Sequence, residues 1–291
     1  MKRSERKKQL RRRCVLTALL AAGGAAVCIG LSWNRSAGTT GSPASQLEEG
    51  QEPKEQEEYA GDPEIIRKLT RMADTDEQVA ELVEKAGEYP EDILKAVSEN
   101  PEVAGFALEY FDKKDTQPAD TVGTLEQGTI PELIQWDERW GYVWYGDGVL
   151  GVTGCGPTSL SMVVCGLTGN DKITPAVVAE YAQANDYYVD GVGTSWNLMT
   201  EGCRHFGVSG EEMVLEKNHI ISALDEGHPI ICSMRPGDFT SQGHFIVLSG
   251  EEDGKICVCD PNSRIRSEKL WDFETLEYQI NNLWVFTADR Q

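Results

Sequence analysis

Between residues 61 and 115 the apolar positions recur at intervals of three and four, the spacing of one buried helix face. Ile65, Ile66, Leu69, Met72 and Ala73 form a first stripe, and Val79, Leu82, Val83 and Ala86 a second. Ile93, Leu94 and Val97 follow Tyr89-Pro90, and Val103, Phe106, Ala107 and Tyr110 follow Asn100-Pro101. Asp62-Pro63 and Asn100-Pro101 each join a capping side chain to a proline suited to a first helical turn, so short helices are expected to start there. A unit of about 55 residues is marginal alone and is expected to pack on a larger domain or on a partner. It carries no chemical signature and reads as a spacer or packing element.

A polar connector over 116–128 leads into a region, 129–291, with a different pattern. Helical spacing at 156–167, 175–185, 195–206 and 218–226 precedes short apolar runs near 229–234, 245–249, 255–259 and 283–287 that read as strands. Helices first and strands afterwards predict an α+β fold, with a helical side packed on a mostly antiparallel sheet.

The N-terminal pattern differs from both. Residues 14–33 carry no charge over a length that spans a bilayer as a helix. Residues 1–13 hold eight Lys or Arg and one Glu, and this basic tail is expected to stay in the cytoplasm while the rest of the chain passes outward. No good small-residue cleavage site follows the run, so an uncleaved signal anchor is preferred to a removed signal peptide. Residues 34–60 contain Leu47 as their one large aliphatic among Gly, Ser, Pro, Gln and six Glu, the composition of a disordered acidic linker. These features predict a single-pass protein of the cell membrane with an extracytoplasmic C-terminal domain.

The net charge of -21 over 291 residues becomes -28 once the basic tail is set aside. Such a body repels nucleic acid, which is excluded as a partner. Hydrophobic residues at 40% and charged residues at 26% are ordinary globular values.

All four histidines and six of the eight cysteines lie after residue 130, so any chemistry is expected there. Gly154-Cys155-Gly156-Pro157-Thr158 precedes Leu160, Met162, Val163, Val164 and Leu167 at helical spacing, which puts Cys155 where a helix begins. The flanking glycines are expected to let substrate backbone approach the sulfur, and the amides and dipole of a helix start favour a negatively charged sulfur. Cys165 and Cys203 lack this flank and read as core thiols. A sulfur nucleophile needs an imidazole, and His244 opens the run Gly243-His244-Phe245-Ile246-Val247. His205, His219 and His228 read as surface or capping residues. Asp260, closing the 255–259 strand before Pro261 and Asn262, is placed to orient the ring. The order Cys, His, Asp is that of papain.

Gln135-Trp136-Asp137-Glu138-Arg139-Trp140, Gly154-Cys155-Gly156-Pro157-Thr158, Gly243-His244-Phe245-Ile246-Val247 and Asp260-Pro261-Asn262-Ser263 occur in that order. Together they resemble the papain-like cysteine peptidases related to the bacteriocin-processing, double-glycine group, in particular their extracytoplasmic relatives in Gram-positive bacteria. The Tyr89-Pro90-Glu91 and Asn100-Pro101-Glu102 helices resemble the leader region often attached to such domains. The resemblance implies a papain-like fold, Cys155 as nucleophile, His244 as general base and acid, Asp260 as its orienter, and Gln135 as an oxyanion-hole donor. Gln135 lies 20 residues before Cys155, farther than in papain, so it is read either as that donor, brought close by a loop over 140–152, or as a surface glutamine beside a packing tryptophan.

With Cys155 set aside, five cysteines remain in 129–291, so at least one further thiol stays unpaired within one chain. Cys257 and Cys259 alternate on a strand but lack the second pair that a zinc site requires, and no metal or cofactor is expected. The expected partners are a peptide or cell-wall peptide substrate and, through residues 14–33, the membrane; oligomeric state has no signature in the pattern. Two other readings stay open: an idle papain-like module that binds peptides or cell wall, and a transglutaminase-like acyltransferase.

Overall fold

In a computed structural model, residues 61–126 and 128–289 are described. The expected basic tail, membrane anchor and linker, residues 1–60, lie outside them. Among the described residues no helix is long and apolar enough to cross a membrane.

The first part is helical, as the spacing predicts: α1 (Pro63–Ala73), α2 (Glu77–Glu84), α3 (Glu91–Glu99), α4 (Ala104–Leu108) and α5 (Tyr110–Lys113). Asp62 and Asp76 accept the first-turn amides of α1 and α2, and Asn100 caps the 3-10 turn Pro101–Val103. The predicted stripes converge on one core of Ile65, Leu69, Val79, Leu82, Ile93, Leu94, Val97 and Phe106.

That core is not closed by the helices alone. Tyr142 and Val149, from beyond the connector, are buried in it. The Tyr142 ring stacks on Phe106 at 4.3 Å, and its hydroxyl donates to the Phe106 carbonyl at 2.9 Å. A Cβ on Gly151 would lie 2.5 Å from the Phe106 ring, so only glycine admits so close an approach. The small helical unit therefore packs on the larger region, and the two share one compact body within Glu55–Gln291.

The larger region continues with the hairpin β1 (Trp144–Tyr145) and β2 (Gly148–Val149), the single turn α6 (Leu150–Thr153), then α7 (Cys155–Thr168) and α8 (Pro175–Ala184). A second hairpin, β3 (Tyr188–Val189) and β4 (Gly193–Thr194), precedes α9 (Asn197–Thr200), the 3-10 segment Gly202–Phe206, β5 (Val208–Glu212) and α10 (Lys217–Asp225). The chain ends with β6 (Ile230–Met234), β7 (His244–Glu252), β8 (Lys255–Cys259), α11 (Arg264–Ser267), β9 (Leu270–Trp271), α12 (Phe273–Glu277) and β10 (Ile280–Ala288).

Six strands form one sheet in the order β5-β10-β6-β7-β8-β9, with every neighbouring pair antiparallel. Its faces serve two cores. Phe245, Val247, Cys259, Trp284 and Phe286 pack with Leu160, Val163 and Val164 of α7, while Ile246, Leu248, Ile256 and Val258 pack with Ile220 and Leu224 of α10. β6, β7, β8 and β10 thus alternate between two helical layers, so the helices are not confined to one side as the α+β expectation had them. α7 is buried continuously from Gly156 to Cys165, because it lies between the sheet and α8. The pairing of Val247 with Cys259 brings the start of β7 and the residue after β8 to the same end of the sheet.

Candidate active site

The start of α7 fixes Cys155. Gly154 is required by the preceding turn, since a Cβ there would meet the Leu150 carbonyl at 2.4 Å. Gly156 is required by β4, since a Cβ would meet the Thr194 side chain at 2.6 Å. The two glycines thus admit Leu150 and Thr194, neighbours within the protein, rather than substrate backbone as the sequence suggests. Thr194 is itself held by the Tyr145 hydroxyl at 2.9 Å, which braces the first turn of α7 from outside. Cys155 is half-buried. It occupies the first position of α7, where helical amides have no partner within the helix.

His244 is the first residue of β7, paired with Met234 at the end of β6, and is 7% exposed. Its Nε2 lies 2.8 Å from Oδ1 of Asp260. The Cys155 side chain is the other group that acts on the ring. With Nε2 turned to the carboxylate, Nδ1 is the nitrogen left for the sulfur. Burial works to lower the pKa of the imidazole, but the charge and hydrogen bond of Asp260, and then Cys155, overcome it and raise the value to about 9.

Asp260 is completely buried. Burial works to raise its pKa, yet His244 and then Arg266 hold the carboxyl below the usual carboxylate range. Oδ1 also accepts the Asn262 amide at 2.8 Å, and Oδ2 accepts Nε of Arg266. The Asp260 amide donates to Ser267 Oγ at 2.9 Å. The two α11 side chains, Arg266 and Ser267, thus grip both the carboxylate and the backbone of Asp260.

Gln135 is 3% exposed, which removes the surface reading. Its Nε2 donates to the carbonyls of Gly151 at 2.9 Å and Val152 at 3.2 Å, in the turn just before Cys155. The folding of 140–152 therefore does bring it to the turn before the cysteine, but its Nε2 is engaged by backbone carbonyls. Its own backbone amide donates to the Pro261 carbonyl at 2.7 Å, and the Trp136 indole donates to the Asn262 carbonyl at 3.1 Å. The Gln135-Trp136 motif thus ties the Asp260 loop to the turn that carries Cys155.

The remaining histidines lie apart. His219 and His205 are exposed, the latter stacked on Tyr181 at 4.1 Å, and His228 sits beside Glu226. Cys165, Cys203, Cys232 and Cys259 are free and buried, as expected of core thiols. Burial pushes Cys165 up to about 11 and Cys259 up to about 12, so these sulfurs stay protonated. Among the described residues no group of three or more His, Cys, Asp or Glu is arranged to hold a metal ion.

Arg266 is the member of this constellation that sequence reasoning missed. It lies within an unremarkable polar stretch, and its relation to Asp260 depends on the one-turn helix α11, which the apolar pattern does not announce.

No curated protein matches the chain. Solved structures similar to it include the peptidase domain of Streptococcus ComA, a bifunctional ABC transporter involved in a quorum-sensing pathway, at 18% identity over 47% of this chain and 93% of that one, with a TM-score of 0.37. A double-glycine-motif protease from an AMS/PCAT transporter, in complex with the leader peptide, is 17% identical over 50% of this chain and 90% of that one, with a TM-score of 0.31. A C39-like peptidase from Bacillus anthracis is 15% identical over 56% and 97%, with a TM-score of 0.32. The model of the Peptidase_C39 like family matches residues 127–287, more than half of the chain and all four residues of the site, and the protein belongs to that family.

Proposed function

We propose that the protein is a cysteine peptidase that cleaves peptide or related amide bonds through an acyl-enzyme on Cys155. The observation that carries this reading is the buried His244–Asp260 pair, hydrogen-bonded at 2.8 Å, with the half-buried Cys155 acting on the same ring. Cys155 Sγ attacks the scissile carbonyl carbon, and the S–C bond forms as the carbonyl π electrons move to oxygen. His244, carrying the proton that left the sulfur, gives it to the departing amine as the C–N bond breaks. Water, deprotonated by the same ring, then releases the acyl group and restores the thiol. Asp260 holds Nε2 and stabilises the imidazolium, as the buried carboxylate does in other triads. An amide at the start of α7 supplies an oxyanion donor, worth roughly 3 kcal/mol where such donors have been removed in other enzymes.

The sequence of residues 1–60 supports anchoring: a basic tail, an apolar stretch of spanning length and an acidic tether. The reading is therefore of a single-pass membrane protein whose peptidase body faces outward, with an extracellular peptide or cell-wall peptide as substrate.

One observation favours a second reading. Nε2 of Gln135, the donor that the resemblance assigns to the oxyanion, is engaged by the backbone carbonyls of Gly151 and Val152, which favours binding without cleavage. Incubating the protein and Cys155→Ala with a mixed peptide library, and reading new termini by mass spectrometry, separates the two. Cleavage by the parent that is absent from Cys155→Ala is expected. Cleavage retained by Cys155→Ala removes the mechanism, and saturable binding without cleavage in either protein supports the idle module. New amides formed with an added amine identify acyl transfer.

A further inference from the structure

We propose that Glu102 of the helical unit is a positioning residue for the catalytic pair: it clamps α11, and through Arg266 and Ser267 of that helix it fixes Asp260 against His244. The proposal rests on the peptidase reading for the name it gives the pair. Its structural content concerns the ring of His244 alone.

Glu102 lies outside the 127–287 segment that matches the family, about 160 residues from α11, yet its carboxylate caps that helix. Oε2 accepts the Arg264 amide at 2.9 Å and the Ile265 amide at 3.3 Å, and Oε1 accepts the Ser263 hydroxyl. Those groups belong to the N-terminus of a helix only four residues long, whose Ser263 side chain also caps the Arg266 amide.

A second contact acts beside the first. Asn100, 5% exposed, donates from Nδ2 to the Asn262 carbonyl, while its Oδ1 accepts the Glu102 amide at 3.1 Å. The Asn100-Pro101-Glu102 turn thus holds both the loop after Asp260 and the helix that follows. The far end of α3 also reaches the loop before His244, where Ser241 Oγ donates to Glu99 at 3.0 Å.

α11 transmits the hold. Arg266 donates to Oδ2 of Asp260, and Ser267 Oγ accepts the Asp260 amide. If α11 frays, Asp260 loses a cationic partner and a backbone anchor together. The groups facing the His244 ring are Cys155 from α7 and Asp260, with Arg266 and Glu132 bearing on that carboxylate. A loosened Asp260 lifts the ring less against the pull of burial.

The test is the titration of His244, followed by NMR on the full-length, detergent-solubilised chain labelled at histidine and assigned with His244→Ala. The parent ring is expected to titrate near 9. Glu102→Ala is expected to lower that midpoint by about one unit or more. Glu102→Gln still accepts the two amides and donates to Ser263, so it is expected to restore the parent value. A Glu102→Ala titration that superimposes on the parent overturns the proposal. If Glu102→Ala loses its cooperative melt, Glu102→Asp, which withdraws the carboxylate by one methylene, carries the same test, and an unmoved midpoint there also overturns it. Mere destabilisation leaves the midpoint in place. A midpoint moved by Glu102→Ala in a protein that cleaves no peptide sinks the peptidase reading alone, whereas cleavage by a protein whose midpoint ignores Glu102 sinks the positioning alone.

Discussion

Arg266 donates from Nε to Oδ2 of Asp260, the carboxylate oxygen that His244 does not use. A buried carboxylate keeps its charge only when partners replace the water it has lost, and here the His244 ring, the Arg266 guanidinium and the Asn262 amide do so. Arg266→Met keeps volume and removes one of them, so a loss of about 3 kcal/mol in chemical denaturation at pH 7 is expected. Asp260 contributes stability above the ordinary carboxylate pKa, and that stability disappears as pH falls through its lowered native value. The acid-unfolding midpoint of Arg266→Met should therefore move to higher pH. An unchanged acid limb would show that Asp260 does not depend on Arg266.

The raised pKa of His244 has the opposite sign. The folded ring holds its proton to about 9, whereas an unfolded histidine releases it near 6.5. Its contribution is complete below 6.5 and is lost as pH climbs through about 9. Denaturant midpoints of the parent should fall over that window, by an amount corresponding to a few kcal/mol, and those of His244→Ala should fall less. Parallel profiles for the two proteins would contradict the coupling.

Gly156 and Thr194 form a contact that admits no extra carbon. Gly156→Ala should displace the first turn of α7, at a cost of roughly 1 to 3 kcal/mol, and slow the reaction of Cys155. Because Thr194 is the obstacle, Gly156→Ala combined with Thr194→Gly should recover part of the loss. Thermal melts and labelling rates of the single and double variants check this, and a double variant no better than Gly156→Ala would place the obstacle elsewhere.

Gln135 joins two structural roles to one proposed chemical role, and alkylation distinguishes them. Iodoacetamide reacts with sulfur by direct displacement and builds no oxyanion. Gln135→Ala should slow this labelling because it releases the Gly151 and Val152 carbonyls and so loosens the turn before Cys155. Labelling at the parent rate, beside a selective loss of peptide cleavage, would mean that the side chain acts only in the transition state of acyl transfer.

Local chemistry made much of this site legible from the sequence. Cys155 is marked by the glycines and proline of a helix start, His244 by the apolar run that follows it, and Asp260 by the proline that stops β8. The helical stripes of 61–115 were equally plain, because their period is imposed by a shared core. What stayed hidden depends on pairing between distant segments. Arg266 and Glu102 are ordinary surface-type residues until the chain brings positions 102, 260 and 266 together. β5, with the sequence Val-Ser-Gly-Glu-Glu, lacks the apolar alternation of a strand because it lies at the sheet edge with its last two residues exposed. The glycines beside Cys155 stand out in the sequence, but their reason lies in Leu150 and Thr194, which are distant or unremarkable in it.

The central claim is that His244 activates Cys155, and the most direct test needs no substrate. The rate of iodoacetamide labelling at Cys155, read by peptide mass spectrometry across pH 5 to 9 or so, is compared between the parent and His244→Ala. The account predicts labelling at neutral pH at least about tenfold faster at Cys155 than at the buried Cys203 and Cys232, with that advantage lost in His244→Ala. Labelling of Cys155 that matches the buried thiols, or that ignores the loss of His244, would contradict it.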